Sequence, residues 1–120
     1  MSLIGHLIVL SDGVPSGSMP LNDGDMLTLG RAPECNVRIR ISSVSKLSAR
    51  LVGEGNVSFF VNETSTNPAS LTRNGTQLHS QEGVPIYLEH GDQLKFSSRV
   101  FLFEYGASFF PLSCATLALS

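Results

Sequence analysis

Residues 42–50 read SSVSKLSAR, and six of these nine are Ser, Lys or Arg. Hydroxyl donors and fixed cations crowded into one short connection between apolar runs are the means of holding an anion. Three further polar stretches carry the same donor types. LGRAPEC places Arg31 just after a glycine, TSTNPAS offers Ser65, Thr66 and Asn67, and TRNGTQL offers Asn74. Each has a plain reading when taken alone: an arginine after glycine is a solvated turn residue, Asn-Pro is a turn former, and Asn-Gly marks a tight hairpin. Catalytic chemistry is poorly served. His6, His79 and His90 sit in separate contexts with no nucleophile and acid arranged about them. Asp23 and Asp25 of NDGD are explained by a turn, and the EF-hand calcium-loop pattern is absent. No enzyme, cofactor or metal is expected.

With 120 residues, 42% hydrophobic and 15% charged, the chain has material for one domain with a modest core. A net charge of −2 leaves no overall electrostatic footprint for nucleic acid, so an anion site has to be local. Cys35 and Cys114 lie far apart without metal-ligand spacing, which points to reduced thiols rather than a zinc site or a disulfide framework. The N-terminal run LIGHLIVL is broken by Gly5 and His6 and lacks a basic leader, so it makes a poor signal peptide. Nothing approaches a membrane span. NVS, NET and NGT match the glycosylation acceptor pattern and read, without a signal sequence, as accidents of composition. Neither a membrane nor nucleic acid is expected as a direct partner.

The elements that must position these donors are short. HLIVL, MLTL, NVRIRI, SARLV, VSFFV, VPIYL, QLKF and RVFLFEY are apolar runs, separated by SDGVPSGS, NDGD, GEGN, NPAS, RNGT and EHGD. Many short strands punctuated by Gly, Asn, Asp and Pro predict an all-β sandwich. GEGN reads as a hairpin loop and HGD as the opening of a strand. RVFLFEY is apolar on both faces, with Val100 and Leu102 pointing one way and Phe101, Phe103 and Tyr105 the other. One face belongs to the core and the other also wants cover. The uncharged stretch GASFFPLSCATLALS continues the apolar character to residue 120. Residues 1–106 are expected to form the domain and 107–120 an apolar C-terminal extension.

The order and spacing of the polar stretches resemble the forkhead-associated (FHA) family, from about Gly5 to Tyr105. The family pattern is Gly-Arg, then Ser-x-x-His, a Ser/Thr-Asn loop and a further Asn-Gly. Here it reads Gly30-Arg31, Ser45-Lys46-Leu47-Ser48, Ser65-Thr66-Asn67 and Asn74-Gly75-Thr76. HGDQLKF is similar to the family's His-Gly-Asp segment. Within the family, GRAPECNVRI, VSKLSA and STNP are most similar to the N-terminal FHA domains of nuclear DNA-damage checkpoint mediators and of the proliferation-associated antigen. The resemblance implies an FHA-type β-sandwich of about eleven short, mainly antiparallel strands. It further implies a non-catalytic module of a nuclear scaffold that binds phosphothreonine segments in DNA-damage signalling.

The resemblance assigns Arg31, Ser45, Lys46, Thr66, Asn67 and Asn74 to phosphopeptide binding. A phosphothreonine brings nearly two negative charges and three acceptor oxygens. Arg31 supplies a permanently charged fork, Ser45 and Thr66 add hydroxyls, and Lys46 adds a point charge. By the same resemblance Asn67 bonds the peptide backbone beside the phosphoresidue. Two positions depart from the pattern. Ser48 stands where the family has a histidine that ties the binding loops together, and Pro68 stands where it has glycine. A buried group left unpaired costs about 1–3 kcal/mol, or roughly ten- to a hundred-fold in affinity if fully expressed there. The second reading is therefore a self-association module with a decayed phosphate site. It would be a homodimer through Phe101, Phe103 and Tyr105, or through the Val100 and Leu102 face, with the tail contributing.

Overall fold

The computed structural model describes residues 2–106. These form eleven strands: β1 (Leu3–Ser11), β2 (Val14–Asn22), β3 (Met26–Gly30), β4 (Val37–Arg38), β5 (Ala49–Glu54), β6 (Val57–Asn62), β7 (Ser70–Arg73), β8 (Thr76–Leu78), β9 (Ile86–Tyr87), β10 (Gln93–Phe96) and β11 (Arg99–Tyr105). A six-stranded sheet in the order β2-β1-β11-β10-β7-β8 packs on a five-stranded sheet in the order β4-β3-β5-β6-β9. Every pairing is antiparallel except β3 with β4. The all-β sandwich expected from the strand pattern is the observed architecture.

Alternation fixes which side chains fill the space between the sheets. In β10, Leu94 and Phe96 turn inward while Gln93 and Lys95 face out. Phe101 and Phe103 of β11 meet them in the core at 1% and 0% exposure, and the Phe96 and Phe101 rings stand edge to face. Leu29, Leu51 and Phe60 supply the opposing layer from β3, β5 and β6. Phe101 and Phe103 are thus core residues, and an aromatic dimer surface built from them is corrected: each would have to leave the sandwich to reach a partner. Tyr105 also turns inward. Its hydroxyl donates to the Leu88 carbonyl at 2.6 Å and accepts from the Ser58 amide at 3.1 Å, joining the two sheets. The outward face of β11 carries half-buried Val100 and Leu102, opposite Leu10 and Ile8 of β1. The extension over 107–120 expected to contribute cover lies outside the described residues.

Two elements differ from the sequence expectation. SDGVPSGS does not form one long connection. Asp12 and Gly13, both at positive φ, make a two-residue turn into β2. That strand is mostly exposed on the sheet edge, where Pro15 and Pro20 are tolerated because no outer neighbour among the described residues needs their missing N–H. NVRIRI pairs only over Val37–Arg38, although the inward-outward alternation continues through Ile39 and Arg40. Asn74 and Gly75 have φ values of 52° and 79° and close the β7–β8 hairpin. GEGN is a hairpin loop as expected, with Gly55 at φ 68°.

Candidate functional site

Three loops of the sandwich meet at one end: 31–36 after β3, 39–48 after β4 and 63–69 after β6, beside the 97–98 turn between β10 and β11. Main-chain bonds sew the first two together. Arg31 N donates to the Ser45 carbonyl at 3.0 Å, Ala32 N to that of Lys46 at 3.1 Å, and Ser48 N to that of Leu29 at 2.9 Å. This close approach explains Gly30. A Cβ there would lie 2.2 Å from the Lys46 carbonyl oxygen, so only glycine lets the loop at 46 cross the end of β3.

Arg31 is half-buried, and its Nε donates to the Val44 carbonyl at 3.0 Å. That bond aims the guanidinium and leaves both terminal nitrogens without a protein partner among the described residues. The third loop joins through hydroxyls and amides. Ser45 Oγ donates to the Thr66 carbonyl at 3.2 Å, and Thr66 N donates to Thr64 Oγ1 at 3.0 Å. Asn67 sits at φ 50°, a left-handed conformation that asparagine tolerates, and its Nδ2 donates to the Ser43 carbonyl at 3.2 Å. Ser43 Oγ in turn donates to Ser97 Oγ at 3.0 Å. Arg31, Ser45, Thr66 and Asn67 are therefore brought into one cluster.

The other expected residues fare differently. Lys46 is exposed and lines a shallow cavity of about 350 Å³ with Thr28, Ala32, Glu34, Cys35 and Leu47, on the β3–β4 side of the cluster. Asn74 is corrected. It caps the far end of β7, four strand residues beyond the 63–69 loop, a separation of roughly 13 Å at strand spacing. Its role is the hairpin turn. Ser48 lies beneath the loops at 1% exposure, and its hydroxyl has no hydrogen-bond partner among the described residues. Tyr105 sits at the opposite end of β11 from the cluster.

Support for the loops comes from residues that the sequence reading missed. Buried Asn62 pairs with the Ala69 backbone, donating from Nδ2 at 3.0 Å and accepting the Ala69 amide at 3.2 Å. The side chain thereby closes the base of the 63–69 loop. Arg50 and Glu63 form an ion pair at the start of the same loop. The signal for Asn62 was an amide ending an apolar strand immediately before a Ser/Thr-rich loop. Arg73 is committed elsewhere: it makes a bidentate pair with buried Asp92, at 2.9 and 2.7 Å. Hydrogen bonding to Asp92 raises the Arg73 pKa above the ordinary arginine value, against the lowering effect of burial.

Comparison with known proteins accords with this architecture. The chain is 30% identical over 107 residues to the mouse proliferation marker protein Ki-67, covering 88% of this chain and 3% of that protein. The FHA domain of CT664 from Chlamydia trachomatis superposes with a TM-score of 0.71 at 18% identity, over 88% of this chain and all of that one. The MEK1 FHA domain, solved in complex with a phosphothreonine peptide of HOP1, superposes with a TM-score of 0.65 at 16% identity, over 89% of this chain and all of that one. Residues 27–97, more than half of the chain, match the FHA domain profile. They run from β3 to the β10–β11 turn and include Arg31, Ser45 and the Asn67 loop, so the chain belongs to the FHA domain family.

Proposed function

We propose that this chain is a non-catalytic phosphothreonine-peptide recognition domain. The observation that carries the reading is the Arg31 guanidinium, tethered by Nε to the Val44 carbonyl with its terminal nitrogens free, beside Ser45, Thr66 and Asn67. A tethered fork loses little freedom on meeting a phosphate, and each charge-assisted bond is shorter and stronger than a neutral one. Asn67 Oδ1 has no protein partner among the described residues and is free to accept a peptide amide. The MEK1 domain, of the same family, is known with such a peptide bound. The Ki-67 similarity and the resemblance of GRAPECNVRI, VSKLSA and STNP support placing the domain in a larger nuclear scaffold; that resemblance alone supports a role in DNA-damage signalling. Titration with phosphothreonine peptide libraries tests the binding reading. Binding that exceeds the unphosphorylated controls is expected, and equality between the two sets overturns it.

A second reading is self-association through the outer face of the six-stranded sheet. Leu10, Val100 and Leu102 are half-buried neighbours there. Light scattering on the full chain and on one ending at residue 106 tests it. A dimer that survives truncation places the contact on the sandwich. A full chain that is monomeric at high micromolar concentration overturns self-association.

A further inference from the structure

The charges of this chain are unevenly distributed. Residues 26–53 hold five of the eight Lys and Arg and one of the ten Asp and Glu, leaving that stretch at +4 and the remainder at −6. Of its five cations Arg50 is neutralised by Glu63, while Arg31, Arg38, Arg40 and Lys46 pair with no carboxylate among the described residues. Outside the stretch, Arg73 is absorbed by Asp92 and Glu89, and Lys95 and Arg99 also pair with no carboxylate among the described residues, so four of the six unpaired cations lie within it. Unpaired positive charge is therefore concentrated on the loops of the phosphate cluster and the adjoining sheet edge.

Arg38 and Arg40 are not part of that cluster. Val37 and Ile39 alternate with them into the core, so both arginines project from the exposed edge of the five-stranded sheet, with their Cα atoms about 7 Å apart at strand spacing. Arg38 Nε donates to the Arg31 carbonyl at 3.2 Å, which sets its guanidinium beside the residue proposed to hold phosphate. An unrelieved row of cations costs self-repulsion unless its ligand brings the countercharge. We infer that the phosphothreonine ligand carries a second anionic group, an acidic side chain or a further phosphate, and that Arg38 and Arg40 receive it. This rests on the phosphothreonine reading and adds a preference in the residues flanking the phosphate.

The test is calorimetric titration of the full chain with phosphothreonine peptides of one backbone sequence. One has neutral flanks, others carry glutamates on the N-terminal or the C-terminal side, and others carry a second phosphoserine on either side. Anionic peptides should bind about three- to tenfold tighter, the range expected of two partly solvated charge pairs. The gain should shrink at high salt. It should be reduced by Arg40→Gln, which leaves the neutral peptide's affinity unchanged, and vanish with Arg38→Gln added. Gain with glutamate identifies carboxylate as sufficient; gain with phosphoserine alone identifies a second phosphate. Equal affinity for every flank, or a gain that survives both substitutions, overturns the inference and leaves the phosphothreonine reading standing. Failure to bind any peptide overturns both. A DNA duplex that depends on the two arginines while the peptides ignore them reassigns the patch to nucleic acid and overturns it as well.

Discussion

Asn62 and Ala69 face each other across the base of the 63–69 loop as a side-chain amide against a backbone amide, each donating and accepting. The pair imitates one rung of a β-ladder where the chain itself leaves the sheet. Asn62→Ala removes both partners of a buried N–H and C=O, at about 1–3 kcal/mol for each group left unsatisfied. Lower stability in urea unfolding and weaker phosphopeptide binding are expected together, although Asn62 touches no ligand. Unchanged affinity in a destabilised variant would show that the loop holds its shape without this clamp.

Arg31 is set by one bond from Nε to the Val44 carbonyl. Arg31→Lys keeps the charge and loses both the tether and the fork, so at least a tenfold loss of affinity is expected, given about 1.5–3 kcal/mol for a charged hydrogen bond. Arg31→Ala should leave no measurable binding. A lysine variant as tight as the parent would show that net charge alone holds the phosphate.

Ser48 keeps its hydroxyl buried, with no hydrogen-bond partner among the described residues. Ser48→Ala should therefore stabilise the fold by up to about 1 kcal/mol, by sparing the desolvation of an unpaired group. A thermal melt reads the change, and a lower melting temperature would reveal a partner for the hydroxyl. Ser48→His measures the other side of the exchange. It should tighten phosphopeptide binding if loop support is what the site lacks, and unchanged affinity would shift the cause to the 68–74 connection.

Tyr105→Phe removes the hydroxyl that joins Leu88 and Ser58. A loss of about 1–2 kcal/mol in denaturant unfolding is expected from an unmade pair of partly buried bonds, with phosphopeptide affinity and molar mass unaltered. A change in mass would return Tyr105 to an interface.

Most of the fold was legible because its strands write themselves in period two with turn residues between them. Leu94 and Phe96, or Phe101 and Phe103, alternate with polar or less buried neighbours, and the core follows. β2 was not legible: an exposed edge strand rich in Ser, Gly and Pro has no buried face to pattern it. That Arg31, Ser45, Thr66 and Asn67 lie in one cluster was legible from donor chemistry and order along the chain. Asn74 was misplaced because an Asn-Gly turn reads the same at either end of a strand, and only topology says which end it caps. Asn62, Ser43 and Ser97 escaped because their partners are backbone atoms or loops distant in sequence. The inward turn of Phe101 and Phe103 could not be chosen over that of Val100 and Leu102, since a central strand is apolar on both sides.

The Tyr105 hydroxyl bolts one end of the sandwich, while at the other the Ser43 and Ser97 hydroxyls bridge the sheets in contact with solvent. On these bonds the molecule is expected to be stiffer at the Tyr105 end than at the loop end, like a clothes-peg sprung at its back. Amide protons near Ser58 and Leu88 should exchange only with global unfolding, whereas those of the 63–69 loop should exchange through small local openings. A ligand spanning the loops would close that gradient, so its arrival should be felt as slower exchange at the jaws and almost no change at the spring.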